Sequence, residues 1–188
     1  PSTALERFDE GEIEVVLGGR LDHLPQLDLG PLSRGTVRLD PAIGLFGLRA
    51  NRARGALATP ALREALAMAI DRPALAQAFN VGGWVATTRI IPPDLPDDPA
   101  KGAERWQGRS IDDLRQIAAA RLAGLSGADR RLTLAIGETP GEQLLLRELA
   151  RQLDTVGITL VRARSANGAD LVLVDQVARY AATRWFLN

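Results

Sequence analysis

Residue types that could carry chemistry are scarce in this chain. His23 is the single histidine and there is no cysteine. Cys nucleophiles, Cys/His pairs, Cys-ligated zinc, iron–sulfur clusters and disulfides are therefore excluded within one chain. A Ser/His/Asp triad would have to recruit His23, which stands in a Leu-Asp-His-Leu-Pro context with no Gly-x-Ser-x-Gly elsewhere. We read His23 as a loop residue. Asp94, Asp97 and Asp98 form a dense acidic group, but Pro93, Pro96 and Pro99 interleave it. A calcium loop needs ligands at alternate positions and a closing Glu, so a solvated loop is expected. Gly18-Gly19 and Gly82-Gly83 lack a following Lys-Ser/Thr and the Gly-x-Gly-x-x-Gly spacing, and read as turns. Neither catalytic residues, metal nor cofactor is expected.

The elements around these residues follow from periodicity and punctuation. Residues 11–19 alternate and close on two glycines, which predicts a strand. Residues 21–32 are broken by Pro25 and Pro31 and read as a loop or broken turn. Strands are expected at 36–39 and 43–50. Thr59-Pro60 and Asp71-Arg72-Pro73 each pair a capping side chain with an early proline and predict successive helices, the second running to about Phe79. A Pro-rich loop spans 91–109, too long for a plain connector. Ser110 caps a third helix over 111–125, with Asp112 and Asp113 in its first turn.

The last third reads most clearly. Residues 131–136 alternate as a strand. Residues 142–156 form an amphipathic helix with Leu145, Leu146, Leu149 and Leu153 inside and Arg147, Glu148 and Arg151 outside. Gly157 ends it, and strands follow at 158–161 and 169–174. A strand–helix–strand run of this length is a parallel, right-handed βαβ unit. The class is therefore α/β with a mixed sheet. Trp84, Trp106 and Trp185 are either packing anchors or ligand platforms.

The whole chain is 188 residues, 46% hydrophobic and 24% charged, in the globular range. Its 23 basic and 23 acidic residues cancel, which argues against nucleic acid or an anionic membrane as partner. Lys101 is the sole lysine. No apolar run reaches the roughly 20 residues of a membrane-spanning helix. The chain opens on Pro1 and has no signal-peptide pattern, so we expect a processed chain or a piece of a longer protein.

Several blocks resemble one family in its own order. Residues 60–72, Pro-Ala-Leu-Arg-Glu-Ala-Leu-Ala-Met-Ala-Ile-Asp-Arg, resemble the "x-V-R-x-A-L-x-x-A-I-D-R" signature of family-5 extracytoplasmic solute-binding proteins, the oligopeptide and dipeptide receptors of ABC importers. Residues 11–17 look like the family's "G-E-x-D-V" strand, 48–51 like its "L-x-x-N" strand, and 90–93 like its Pro-rich stretch. Leu132-Thr133-Leu134 and 149–158 resemble its "L-T-L" and "L-A-x-Q-L-x-x-x-G-I". The resemblance covers nearly the whole chain. Within the signature, Arg63 and Asp71 are expected to pack and cap helices rather than touch ligand.

The resemblance implies a periplasmic-binding-protein-like (type II) fold in two lobes. Residues 1–188 would be the second lobe, a mixed-sheet unit, with the first lobe and a signal peptide outside this chain. It implies a non-catalytic, monomeric periplasmic receptor. That receptor would close on a peptide or related solute by a hinge and hand it to a membrane permease. A solute-sensing domain of a regulator, or a degenerate lobe used for protein–protein contact, are the alternatives.

The resemblance also marks the ligand side. Peptide receptors of the family carry "W-x-A-D-Y" after a strand, then "F-L-N", and the aspartate pairs with the peptide's free amino group. Here Gln176 stands at the Trp position, Arg179 at the Asp position and Tyr180 at the Tyr position, before Phe186-Leu187-Asn188. An arginine repels an ammonium and receives a carboxylate or phosphate in bidentate fashion. The expectation is an acidic ligand rather than an unmodified peptide. Alternatively, Arg179 turns to solvent or pairs with Asp175, four residues earlier.

Overall fold

The computed structural model describes residues 2–17, 42–79, 84–92, 95–98 and 102–187. Its order is α1 (Ser2–Asp9), β1 (Gly44–Ala50), α2 (Pro60–Ala69), α3 (Arg72–Ala78), α4 (Ile111–Leu122), β2 (Arg131–Ala135), α5 (Pro140–Asp154), β3 (Thr159–Arg162), β4 (Leu171–Val177) and α6 (Thr183–Leu187).

Helix starts are set by local caps. Thr59 Oγ1 accepts from Leu62 N at 3.3 Å ahead of α2, and Ser110 Oγ accepts from Asp113 N at 3.1 Å ahead of α4. Thr139 and Glu142 form a reciprocal capping box on α5, with Pro140 in its first turn. That box starts α5 two residues earlier than the hydrophobic pattern alone suggested. Burial pushes the Glu142 carboxyl up, and hydrogen bonds from Thr139 and Gly137 outweigh it, holding the carboxyl below its ordinary value. At the other end Gly157 takes φ +73°, and Ile158 N–H returns to Leu153 O at 3.1 Å. This is the left-handed helix stop that glycine makes cheap.

The four strands run in the order β1-β4-β2-β3. β2 pairs in parallel with both β3 and β4, while β1 pairs antiparallel with β4. The sheet is mixed, and β2-α5-β3 is the expected βαβ unit. Leu132 and Leu134 on β2, Leu160 on β3 and Leu171 on β4 alternate onto one face. Leu145, Leu149 and Leu153 of α5 cover them, joined by Leu66 and Met68 of α2 and Leu122 of α4 in a single core.

One expected strand is corrected. Residues 11–17 are not strand; they follow α1, which the sequence reading missed. Gly11, at φ +73°, turns the chain, and the N–H groups of Glu12 and Ile13 return to Arg7 O at 2.8 and 3.4 Å. Those donors close a helix end and so do not enter a ladder. The expected strand at 36–39, the loop at 21–32, His23 and both Gly-Gly pairs lie outside the described residues.

The solvated-loop reading of the acidic group is corrected at Asp98, while Asp97 is exposed. Asp98 is 6% exposed and forms an ion pair with Arg89. Asp97 bonds Thr183. Asp94 lies outside the described residues. An aspartate in a loop is dry when a guanidinium is folded over it, and that partner is set by tertiary packing. The described parts of 91–109 hold neither helix nor strand.

Candidate functional site

The carboxyl end of β4 leads directly into the candidate site. β1 holds this end: Gly44 is registered opposite Val177, Leu45 opposite Gln176, and Ala178 N–H donates to Ile43 O at 2.7 Å. Beyond it the chain bends through 178–182 into α6. Gln176, Val177, Arg179, Tyr180 and Trp185 line one open cavity of about 580 Å³.

The three expected site residues, Gln176, Arg179 and Tyr180, thus stand around the same space. Arg179 is exposed there and makes no hydrogen bond or ion pair with another described residue. Among the described residues nothing takes its guanidinium. Val177 and Tyr180 are exposed beside it, at 66% and 51%. The donors on Arg179, Gln176 and Tyr180 suit an oxyanion, and the rings of Tyr180 and Trp185 with Val177 suit an adjoining apolar group.

Trp185 was singled out in sequence only as one of three tryptophans, and the structure separates them. Trp84 packs between Phe46 and Phe79, with ring centroids 5.4 and 5.3 Å away. Trp106 lies against the core under the Arg105 guanidinium. Trp185 meets the edge of Phe186 at 4.8 Å and lines the cavity.

A second cavity, of about 520 Å³, lies at the carboxyl ends of the three parallel strands and includes Ile136, Arg164 and Leu173. In open α/β sheets this edge is where ligands gather.

The signature residues do structural work, as expected. Arg63 donates to Leu57 O at 2.8 Å, and Asp71 accepts from Ala74 N at 3.0 Å as the cap of α3. Glu148 and Arg151 pair on the outer face of α5. Two residues escaped the sequence reading. Asp170, fully buried, accepts from Thr133 N, Thr133 Oγ1 and Arg54 Nε at 2.9, 2.7 and 2.7 Å. A lone charge heading an apolar strand was its only signal. The other, Thr183, lies between the cavity residues and the Pro-rich loop.

Comparison with known proteins agrees with this architecture. The family described as bacterial extracellular solute-binding proteins, family 5 Middle, matches residues 1–171. The match stops just short of Gln176. No curated protein sequence matches the chain at a significant level. Among solved structures, the Escherichia coli murein tripeptide binding protein MppA superposes with a TM-score of 0.73 at 19% identity, covering 98% of this chain and 38% of that one. Haemophilus influenzae OppA, in complex with the peptide RPPGFSPFR, gives 0.70 at 15% identity, covering 99% and 39%. The pheromone receptor PrgZ gives 0.62 at 16% identity, covering 99% and 39%. This chain therefore spans about two fifths of the length of the structures it resembles. At such identities the likeness speaks for the fold, a periplasmic-binding-protein-like mixed α/β lobe. With the family matched over nearly all of its length, the chain belongs to the family-5 bacterial extracellular solute-binding proteins.

Proposed function

We propose that residues 1–188 form one lobe of a two-lobed periplasmic receptor. That receptor closes on a peptide-like solute with an acidic group and delivers it to the permease of an ABC importer. The observation that carries this reading is Arg179, exposed at a cavity shared with Gln176, Tyr180 and Trp185. The structural neighbours include a murein tripeptide binding protein, OppA in complex with a nonapeptide and a pheromone receptor, which supports a peptide-sized ligand. Arg179 supports the acidic preference: a free N-terminal ammonium beside it meets a like charge, while a carboxylate meets a bidentate donor.

The test compares N-succinyl-trialanine with unmodified trialanine on the full-length receptor by calorimetry. The succinylated probe is expected to bind and the free one to be rejected, with Arg179→Asp reversing the order. Equal affinity for both probes in the parent protein sinks the reading.

A further inference from the structure

We propose that Asp97, in the Pro-rich loop, is a positioning residue for the cavity: its carboxylate holds the start of α6 and so sets where Trp185 stands. This rests on the assignment of that cavity as the ligand site.

The contact is specific and spans 86 positions of sequence. Thr183 N–H donates to both Asp97 oxygens, at 3.1 and 3.0 Å, and Thr183 Oγ1 donates to Oδ2 at 2.7 Å. The hydrogen bond from the Thr183 hydroxyl draws the Asp97 carboxyl below its ordinary value.

The two sides of this contact are unequally anchored. On the loop side, Leu95 is buried at 6% exposure, Asp98 N–H returns to Leu95 O at 3.1 Å, and the Asp98 side chain is buried against Arg89. Glu104, in turn, takes the hydroxyls of Thr87 and Thr88 next to Arg89. Pro96 fixes the backbone immediately before Asp97. Asp97 is thus presented from a braced turn.

On the other side, α6 has five residues, far too few to be helical alone. Its described anchors are Phe186, buried at 8% exposure, and the Asp97–Thr183 contact at its first residue. With Asp97 removed, Phe186 remains as a pivot and the first turn is released. Trp185, one residue from the pivot, then loses its fixed place on the cavity wall. This gives the long loop a purpose that its sequence alone did not reveal.

The test reads Trp185 directly, without ligand. Trp84→Phe with Trp106→Phe leaves Trp185 as the sole tryptophan of the three. In that background Asp97→Ala is expected to raise acrylamide quenching of Trp185 and red-shift its emission. Thr183→Ala, which loses the hydroxyl bond and keeps the two from its backbone N–H, should move both in the same direction by less, and the double variant should go no further than Asp97→Ala. Thr183→Ser, which keeps the hydroxyl, should restore the parent spectrum. Should Asp97→Ala fold poorly, Asp97→Asn with Thr183→Ser carries the comparison. An unchanged Trp185 signal overturns the proposal. So does exposure of Trp185 that only tracks loss of far-UV circular dichroism, since that marks a general structural role. The cavity's assignment fails separately, when Arg179→Asp leaves affinity for N-succinyl-trialanine unchanged while the Trp185 result stands.

Discussion

Gln152 and Asp71 clamp one another across 81 positions of sequence. Gln152 Oε1 accepts the Asp71 N–H at 2.7 Å, and its Nε2 donates to the Asp71 carbonyl at 3.3 Å. Gln152 is fully buried. The side chain of Asp71 meanwhile caps α3, so one residue joins the α2–α3 junction to the middle of the βαβ unit. The two most recognisable blocks of the sequence are in contact through this pair.

Replacing Gln152 by Leu keeps the volume and strands the Asp71 N–H, while the Asp71 carbonyl keeps the Leu75 N–H at 3.0 Å. One half-buried backbone N–H left unpaired puts the cost at about 1–3 kcal/mol. Urea unfolding should show a lower midpoint at an unchanged slope.

Asp170 should give the fold an acid limb. Burial pushes its carboxyl up, and the hydrogen bonds from Thr133 and Arg54 outweigh it, holding the folded value below the ordinary 3.8. A depressed folded value means stability present above the unfolded value and lost as pH falls through the folded one. Asp170→Asn should therefore lower stability near neutrality by about 1–3 kcal/mol and flatten the decline below pH ~4. Thermal melts between pH 2 and 7 measure both.

Gly44 is a close-approach position. A Cβ there would stand 2.4 Å from the backbone oxygen of Gln176, which cannot swing away as a side chain does. Gly44→Ala should cost about 1–3 kcal/mol through overpacking and disturb the cavity edge. Amide exchange should quicken at Val177 and Ala178 before it quickens in β2.

Arg179 should behave as a bidentate anion donor in the closed receptor. Arg179→Asp is expected to weaken N-succinyl-trialanine binding by roughly 2–5 kcal/mol, and Arg179→Lys by less, since the charge remains and the planar fork is lost. Calorimetry on the full-length receptor, repeated at higher salt, checks the order.

Much of this fold is written locally. Thr59-Pro60, Asp71, Ser110 and Thr139 each begin a helix in the structure because a cap acts within three or four residues. The leucines of α5 and the alternation of β2 follow the same short-range periodicity. The missed helix α1 and the overread strand at 11–17 show the limit. Alternation describes a segment that could pair, and pairing needs a neighbour that local pattern does not supply.

The amino-acid sequence by itself determined the α/β class, the helix caps, the βαβ unit, the absence of cysteine and the family resemblance, and it marked Gln176, Arg179 and Tyr180. Tertiary structure decided what lies between distant positions. It placed β4 between β1 and β2, buried Asp170 and Asp98 beneath guanidinium groups, brought Trp185 to the same cavity and tied Asp97 to Thr183. The physical reason is range. Caps and periodicity act over a few residues of one chain segment. The environment of a charge or a ring is set by whichever segments the folded core brings alongside.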